Sequence, residues 1–100
     1  SLRREFKFSI LVPAADYYPQ AGAEEQVLLQ GVVDCCFETL EGITVVDFKT
    51  DRVDRRSVAA RAEEYRPQLA AYSRALEEIT GKPVIRRCLW FFALDQAVDV

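Results

Sequence analysis

Asp34, Asp47 and Lys49 are the residues of this sequence whose types and spacing could do chemistry together. They lie in two apolar, β-forming runs, Gln26–Glu38 and Ile43–Thr50, joined by a short turn that ends at Gly42. A turn centred between Leu40 and Glu41 pairs residues whose numbers sum to 81, which sets Asp34 opposite Asp47. Directly opposed residues have Cβ atoms about 4.5–5.5 Å apart. Lys49 is two residues beyond Asp47 and projects from the same face. Two carboxylates and an ammonium then surround a space suited to one small ion. A loop of odd length would shift the pairing by one residue unless a bulge restored it. A plainer arrangement is an internal Asp47–Lys49 salt bridge, with Asp34 solvated at a strand end.

The neighbours of these polar groups, Val32, Val33, Cys35, Phe37, Val45, Val46 and Phe48, are apolar. Adjacent carboxylates repel, and burial without partners costs each of them several kcal/mol, roughly. A divalent cation removes both penalties, and an oxygen-only donor set suits a hard ion, Mg²⁺ or Mn²⁺. The wider charge distribution is compatible with this. Residues 9–48 hold seven acids and no Lys or Arg, whereas residues 49–66 hold six basic groups, Lys49, Arg52, Arg55, Arg56, Arg61 and Arg66. Carboxylates for cations beside arginines for phosphates are what a metal-dependent phosphodiesterase uses. The formal net charge of −3 speaks against a plain basic nucleic-acid-binding module. The sequence has no histidine, which excludes Ser-His-Asp and Cys-His catalysis and His-ligated metal within this chain.

These groups need elements to hold them. Arg4–Val12 alternates Glu5, Lys7 and Ser9 with Phe6, Phe8 and Ile10, the period of a half-buried strand closed by Pro13. Residues 14–25 read as a loop, 26–38 and 43–50 as strands buried on both faces, and 84–94 as a fourth strand. Ala97–Val100 reads as a short returning strand after a turn at Asp95–Gln96. Leu69, Tyr72, Leu76 and Ile79 recur at helical spacing, so a helix is expected over 67–80, with Pro67 in its first turn and Gly81 as its stop. A separate short helical stretch over Val58–Glu64 is expected to be capped by Ser57. The order is that of an α/β layer, yet it offers helix for only one sheet face. A helix for the other face is expected outside this segment. With 100 residues, half of them apolar, the chain is one small domain or a piece of one. Its longest apolar run, Cys88–Leu94, is far short of the roughly 20 residues of a membrane span, and no signal peptide is visible. Three cysteines, the adjacent Cys35 and Cys36 and the distant Cys88, fit reduced, buried thiols in the cytoplasm rather than a disulfide framework.

The segments Gly31-Val32-Val33-Asp34, Asp47-Phe48-Lys49-Thr50 and Gln68-Leu69-Ala70-Ala71-Tyr72, in that order, resemble the PD-(D/E)XK nuclease superfamily. LLQGVVD, VVDFKTDRV, YRPQLAAYSRALE and CLWFF are similar to the C-terminal nuclease domain of AddA-type (RecB-like) ATP-dependent helicase–nucleases, over nearly all of the chain. The resemblance implies a restriction-endonuclease-like α/β core with a mixed central sheet, here lacking the N-terminal helix of the fold. Residues 1–100 would then be a single partial domain. It implies Mg²⁺, or Mn²⁺, held by Asp34, Asp47 and the backbone carbonyl of Phe48. Lys49 would orient or help deprotonate the attacking water, with Gln68 and Tyr72 near DNA and the active site. It further implies DNA as substrate, an AddB-like protein as the second subunit of the complex, and double-strand break repair by recombination in the bacterial cytoplasm. The family's upstream helix adds an acidic or histidine ligand, which no segment before Asp34 supplies, since Glu24 and Glu25 read as loop. No GxxxxGK[ST] motif is present, so no ATP hydrolysis is assigned to this chain. Alone, the segment is expected to cut DNA weakly or not at all. The alternative is a non-cleaving DNA-binding or subunit-docking module on the same fold. The joint presence of Asp34, Asp47 and Lys49 favours the enzyme.

Overall fold

The alternating N-terminal run forms the first strand of a computed structural model that describes residues 2–100. The strands are β1 (Leu2–Pro13), β2 (Gln26–Glu38), β3 (Ile43–Lys49), β4 (Val84–Phe91) and β5 (Gln96–Asp99), with helix α1 (Val58–Thr80) between β3 and β4. They make one five-stranded sheet in the order β1-β2-β3-β4-β5. Every neighbouring pair is antiparallel except β3–β4, whose parallel pairing requires a crossover, and α1 is that crossover. The architecture is α/β with a mixed sheet. Among the described residues the only helical turn before β2 is the 3₁₀ segment Ala14–Asp16.

The helix departs from the expected boundaries. It does not begin at Pro67 but runs unbroken from Val58, and Pro67 lies inside it. Proline cannot supply the N–H that would bond back one turn. Pro67 is exposed, while Ala62 on one side and Leu69 on the other are buried against the sheet, so both halves stay seated across the gap. Ser57 makes no side-chain cap bond to the helix. The cap is Asp54: its Oδ1 accepts from the backbone N–H groups of Arg56 and Ser57, and Ser57 Oγ accepts from the Asp54 N–H. This is a reciprocal capping box, with the serine in the third position. At the other end Gly81 adopts the left-handed conformation (φ 73°) that closes helices. Ile79 is exposed, and the buried stripe runs through Ala62, Leu69, Ser73, Ala75 and Leu76.

β4 also ends earlier than expected, at Phe91 rather than at residue 94. The Leu94 N–H turns back onto the Phe91 carbonyl and Asp95 takes φ 49°, which folds the chain into β5. β3 ends at Lys49, one residue short of the expected limit. Gly42 is required at the β2–β3 turn, because a Cβ there would stand 2.5 Å from the Pro83 carbonyl oxygen.

α1 covers one sheet face, where Phe8, Val33, Val45, Leu69, Leu76, Leu89 and Phe91 form the core. The opposite face leaves Leu11, Leu28, Val32 and Phe48 exposed. Cys36 and Cys88 are buried and Cys35 is partly buried, all as free thiols. Burial pushes the Cys36 and Cys88 thiols up, which keeps them in the unreactive form.

Candidate active site

The β2–β3 ladder has the pairing that sets the two aspartates across from each other. Cys35 faces Val46, Cys36 faces Val45, Phe37 faces Thr44 and Glu38 faces Ile43, all in the register that sums to 81. Continued by one step, that register puts Asp34 opposite Asp47. The backbone ladder stops there, and the Asp34 side chain takes its place: Oδ2 accepts from the Phe48 N–H at 2.9 Å.

A second irregularity aims Asp34. The β1–β2 pairing includes Arg4↔Cys35 and Phe6↔Val33 but skips Glu5 and Asp34. Glu5 adopts φ 52°, a left-handed conformation that costs a residue with a Cβ roughly 1–2 kcal/mol. Before this break the better-buried positions of β2 are Val27, Leu29, Gly31 and Val33; the next one is Cys36. The alternation thus changes phase at Asp34 and Cys35, as a bulge would make it. The result brings Asp34 to the side chain of Asp47, on the face that α1 covers.

Asp47 is 3% exposed. Lys49 Nζ lies 2.6 Å from its Oδ2, donates to Gln68 Oε1 at 2.8 Å and sits 3.9 Å from the centre of the Tyr65 ring. Gln68 Nε2 in turn donates to the Tyr72 hydroxyl at 3.0 Å. Tyr72 stacks edge-on against Phe8, with ring centres 5.7 Å apart. Gly31 makes room for both rings, since a Cβ there would stand 3.1 Å from Phe8 and 3.2 Å from Tyr72. The glycine three residues before Asp34 is therefore part of how the helix seats against the strand.

Burial, and then the neighbouring Asp34 carboxylate, push the Asp47 carboxyl up to about 6, although Lys49 draws it down. Burial and the charges of Asp47 and Asp34 likewise push the Tyr72 hydroxyl up. One ammonium does not offset this much negative charge, and the site is matched to a further cation. The donors at hand, two carboxylates and the Phe48 carbonyl, are all oxygens, as a hard divalent ion requires. Among the described residues no three His, Cys, Asp or Glu side chains form a metal-binding group, so a complete set needs another donor. Glu24 and Glu25 are exposed in the loop before β2, and Glu25 lies nine residues, or about 30 Å of extended chain, from Asp34.

Because the Asp47 carboxyl is raised, the metal-free fold favours its protonated form, so stability falls as pH rises from about 4 through about 6. Asp34→Asn removes the like charge and keeps an oxygen for the Phe48 N–H. We expect this variant, in chelator at pH 8, to melt higher than the parent by roughly 4–8 °C, equivalent to about 1 kcal/mol, with no gain at pH 4. A lower melting temperature at pH 8 would show that the two carboxylates do not compete.

Of the residues singled out from sequence, Asp34, Asp47, Lys49, Gln68 and Tyr72 form one connected cluster. Tyr65 and Asp51 belong to it as well and were not anticipated. The Tyr65 hydroxyl donates to Asp51 Oδ2 at 2.7 Å. The signal for Tyr65 is helical spacing: 65, 68 and 72 share a face once the helix is continuous through Pro67.

A family model described as the PD-(D/E)XK nuclease superfamily matches residues 2–98. Curated proteins named as ATP-dependent helicase/nuclease subunits of type A are similar to the chain. The one from Desulforudis audaxviator is 43% identical over 91 residues, covering 89% of this chain and 7% of its own length. That from Carboxydothermus hydrogenoformans is 43% identical over 97 residues, covering 96% and 8%. One from Bacillus cereus is 35% identical over 109 aligned residues, covering 100% and 9%. The chain therefore spans less than a tenth of the length of these relatives.

Proposed function

This chain belongs to the PD-(D/E)XK nuclease superfamily, and on that premise we propose that it hydrolyses DNA phosphodiester bonds with Mg²⁺. It does so as the nuclease domain of an AddA-type ATP-dependent helicase–nuclease in recombinational repair of double-strand breaks. The names and identities of its relatives support this assignment. An AddB-like partner and a cytoplasmic place of work belong to the same reading. The observation that carries it is the convergence of Asp34, Asp47 and Lys49 at the C-terminal end of β3.

Asp34, Asp47 and the Phe48 carbonyl would hold the metal, together with a donor from outside the described residues. When bound, a divalent cation supplies Lewis acidity toward the phosphoryl oxygen and lowers the pKa of a bound water. The protein's own part is electrostatic and positional. Lys49 brings a fixed positive charge to the place where negative charge develops on the phosphate, and its N–H groups orient the attacking water. Gln68 holds that ammonium, and Tyr72 holds Gln68. Hydrolysis by water in line needs no Ser, Cys or His nucleophile. Arg52, Arg55 and Arg56 follow β3 directly, are exposed and have no acidic partner among the described residues. That suits them to backbone phosphates.

The test is metal removal. The helicase–nuclease containing this chain should degrade linear duplex DNA with Mg²⁺, stop in EDTA and resume when Mn²⁺ is added. Degradation that persists in chelator, or unwinding without degradation under Mg²⁺, would overturn the reading.

A further inference from the structure

Lys49 is held in a way the nuclease motifs do not describe. Its ammonium contacts Asp47, Gln68 and the face of Tyr65, whose ring centre is 3.9 Å away. The side chain of Lys49 is only 12% exposed. A cation over a tyrosine face gains about 0.5–1 kcal/mol when exposed and about 2 when desolvated. The ring is itself fixed. Its hydroxyl donates to Asp51 Oδ2 at 2.7 Å, and Arg61 Nη1 donates to the same oxygen at 2.6 Å. Those two bonds, Tyr65 first, hold the Asp51 carboxyl below the usual carboxylate range, so it remains an acceptor at neutral pH. Asp51 leaves β3 two residues after Lys49, and Tyr65 and Arg61 stand one helical turn apart on α1. The triad Asp51–Tyr65–Arg61 therefore pins the first half of α1 to the end of β3 and sets the ring against the ammonium.

We propose that Tyr65 is a positioning residue for Lys49, its ring face serving as the ammonium's seat and Asp51 with Arg61 locking the ring. The inference rests on the nuclease reading for its catalytic consequence but not for its geometry. An Asp47 drawn off toward a cation leaves Lys49 held by Gln68 and the ring. The ring holds without competing for the ammonium's hydrogens as a carboxylate would, so the N–H groups stay free to meet water or phosphate.

Two measurements test this separately. In NMR spectra of the metal-free chain, the ε-methylene protons of Lys49 should be shifted upfield by the ring. The shift should persist in Tyr65→Phe, shrink in Asp51→Asn, and vanish in Tyr65→Leu. In steady-state degradation of linear DNA by the helicase–nuclease with Mg²⁺, Tyr65→Leu should lower kcat roughly tenfold, the rate equivalent of one partly desolvated cation–π contact. KM for DNA and the Mg²⁺ concentration for half-maximal rate should not change, and Tyr65→Phe should restore kcat to within about threefold. A merely structural role would make Phe and Leu alike once their melting temperatures match. Equal kcat for the two variants, or no ring shift in the parent, overturns the proposal. A ring shift without any Mg²⁺-dependent degradation overturns the nuclease reading instead and leaves the seat in place.

Discussion

Asp47→Ala abolishes Mg²⁺-dependent DNA degradation, with a loss greater than the roughly 10²–10³-fold cost of removing one preorganised donor from an active site. The reason lies in what converges on this side chain. Asp47 is 3% exposed, has the Lys49 ammonium at 2.6 Å, and is brought to Asp34 by the β2–β3 register. It is the one carboxylate of the cluster that burial and a like charge both press toward protonation, up to about 6. A fold tolerates that strain where a cation relieves it. Alanine removes the cation's best-placed oxygen without emptying the core, because Lys49 keeps Gln68 and the Tyr65 ring. Folding and ATP-driven unwinding by the longer protein should therefore survive. Degradation at the parental rate would mean that the site is elsewhere.

Lys49→Ala separates holding the metal from using it. The variant should lose about 10²–10³-fold in rate while binding Mg²⁺ at least as tightly as the parent at pH 8. The ammonium is itself a cation, so deleting it takes away a repulsion toward a divalent ion. Deleting it also removes the charge that draws the Asp47 carboxyl down, so that carboxyl holds its proton more firmly. The effect on affinity should therefore reverse in sign as the pH falls toward about 6. Titration calorimetry at the two pH values reads both parts. A loss of Mg²⁺ affinity at pH 8 that matches the loss of rate would contradict the assigned role.

The β2–β3 hairpin was legible in the sequence because two strong β runs flank a turn of fixed length ending at Gly42, and the register follows from counting. The second half of α1 was legible for a similar reason, since Leu69 and Leu76 repeat at helical spacing and Gly81 stops the run. Its first half was misread because Pro67 has the local signature of a helix start. Whether a proline starts or interrupts a helix depends on tertiary burial of the residues before it, here Val58, Ala62 and Tyr65. That misreading hid Tyr65, which lies on the Gln68–Tyr72 face only if the helix is continuous. The break opposite Asp34 had no signal either. Glu5 sits in a run with unbroken alternation, and its left-handed backbone arises from pairing with β2 rather than from its own preference.

The parallel β3–β4 pair has a kinetic consequence. The acidic pair joins strands separated by a four-residue turn, so its closure is local and fast, whereas β4 can dock only after residues 50–83 have crossed the sheet. During refolding the two aspartates therefore meet before the helix that completes their surroundings arrives. The barrier lies at that crossover, and mild acid or a divalent ion, by quieting the early repulsion, would hasten folding more than it would slow unfolding.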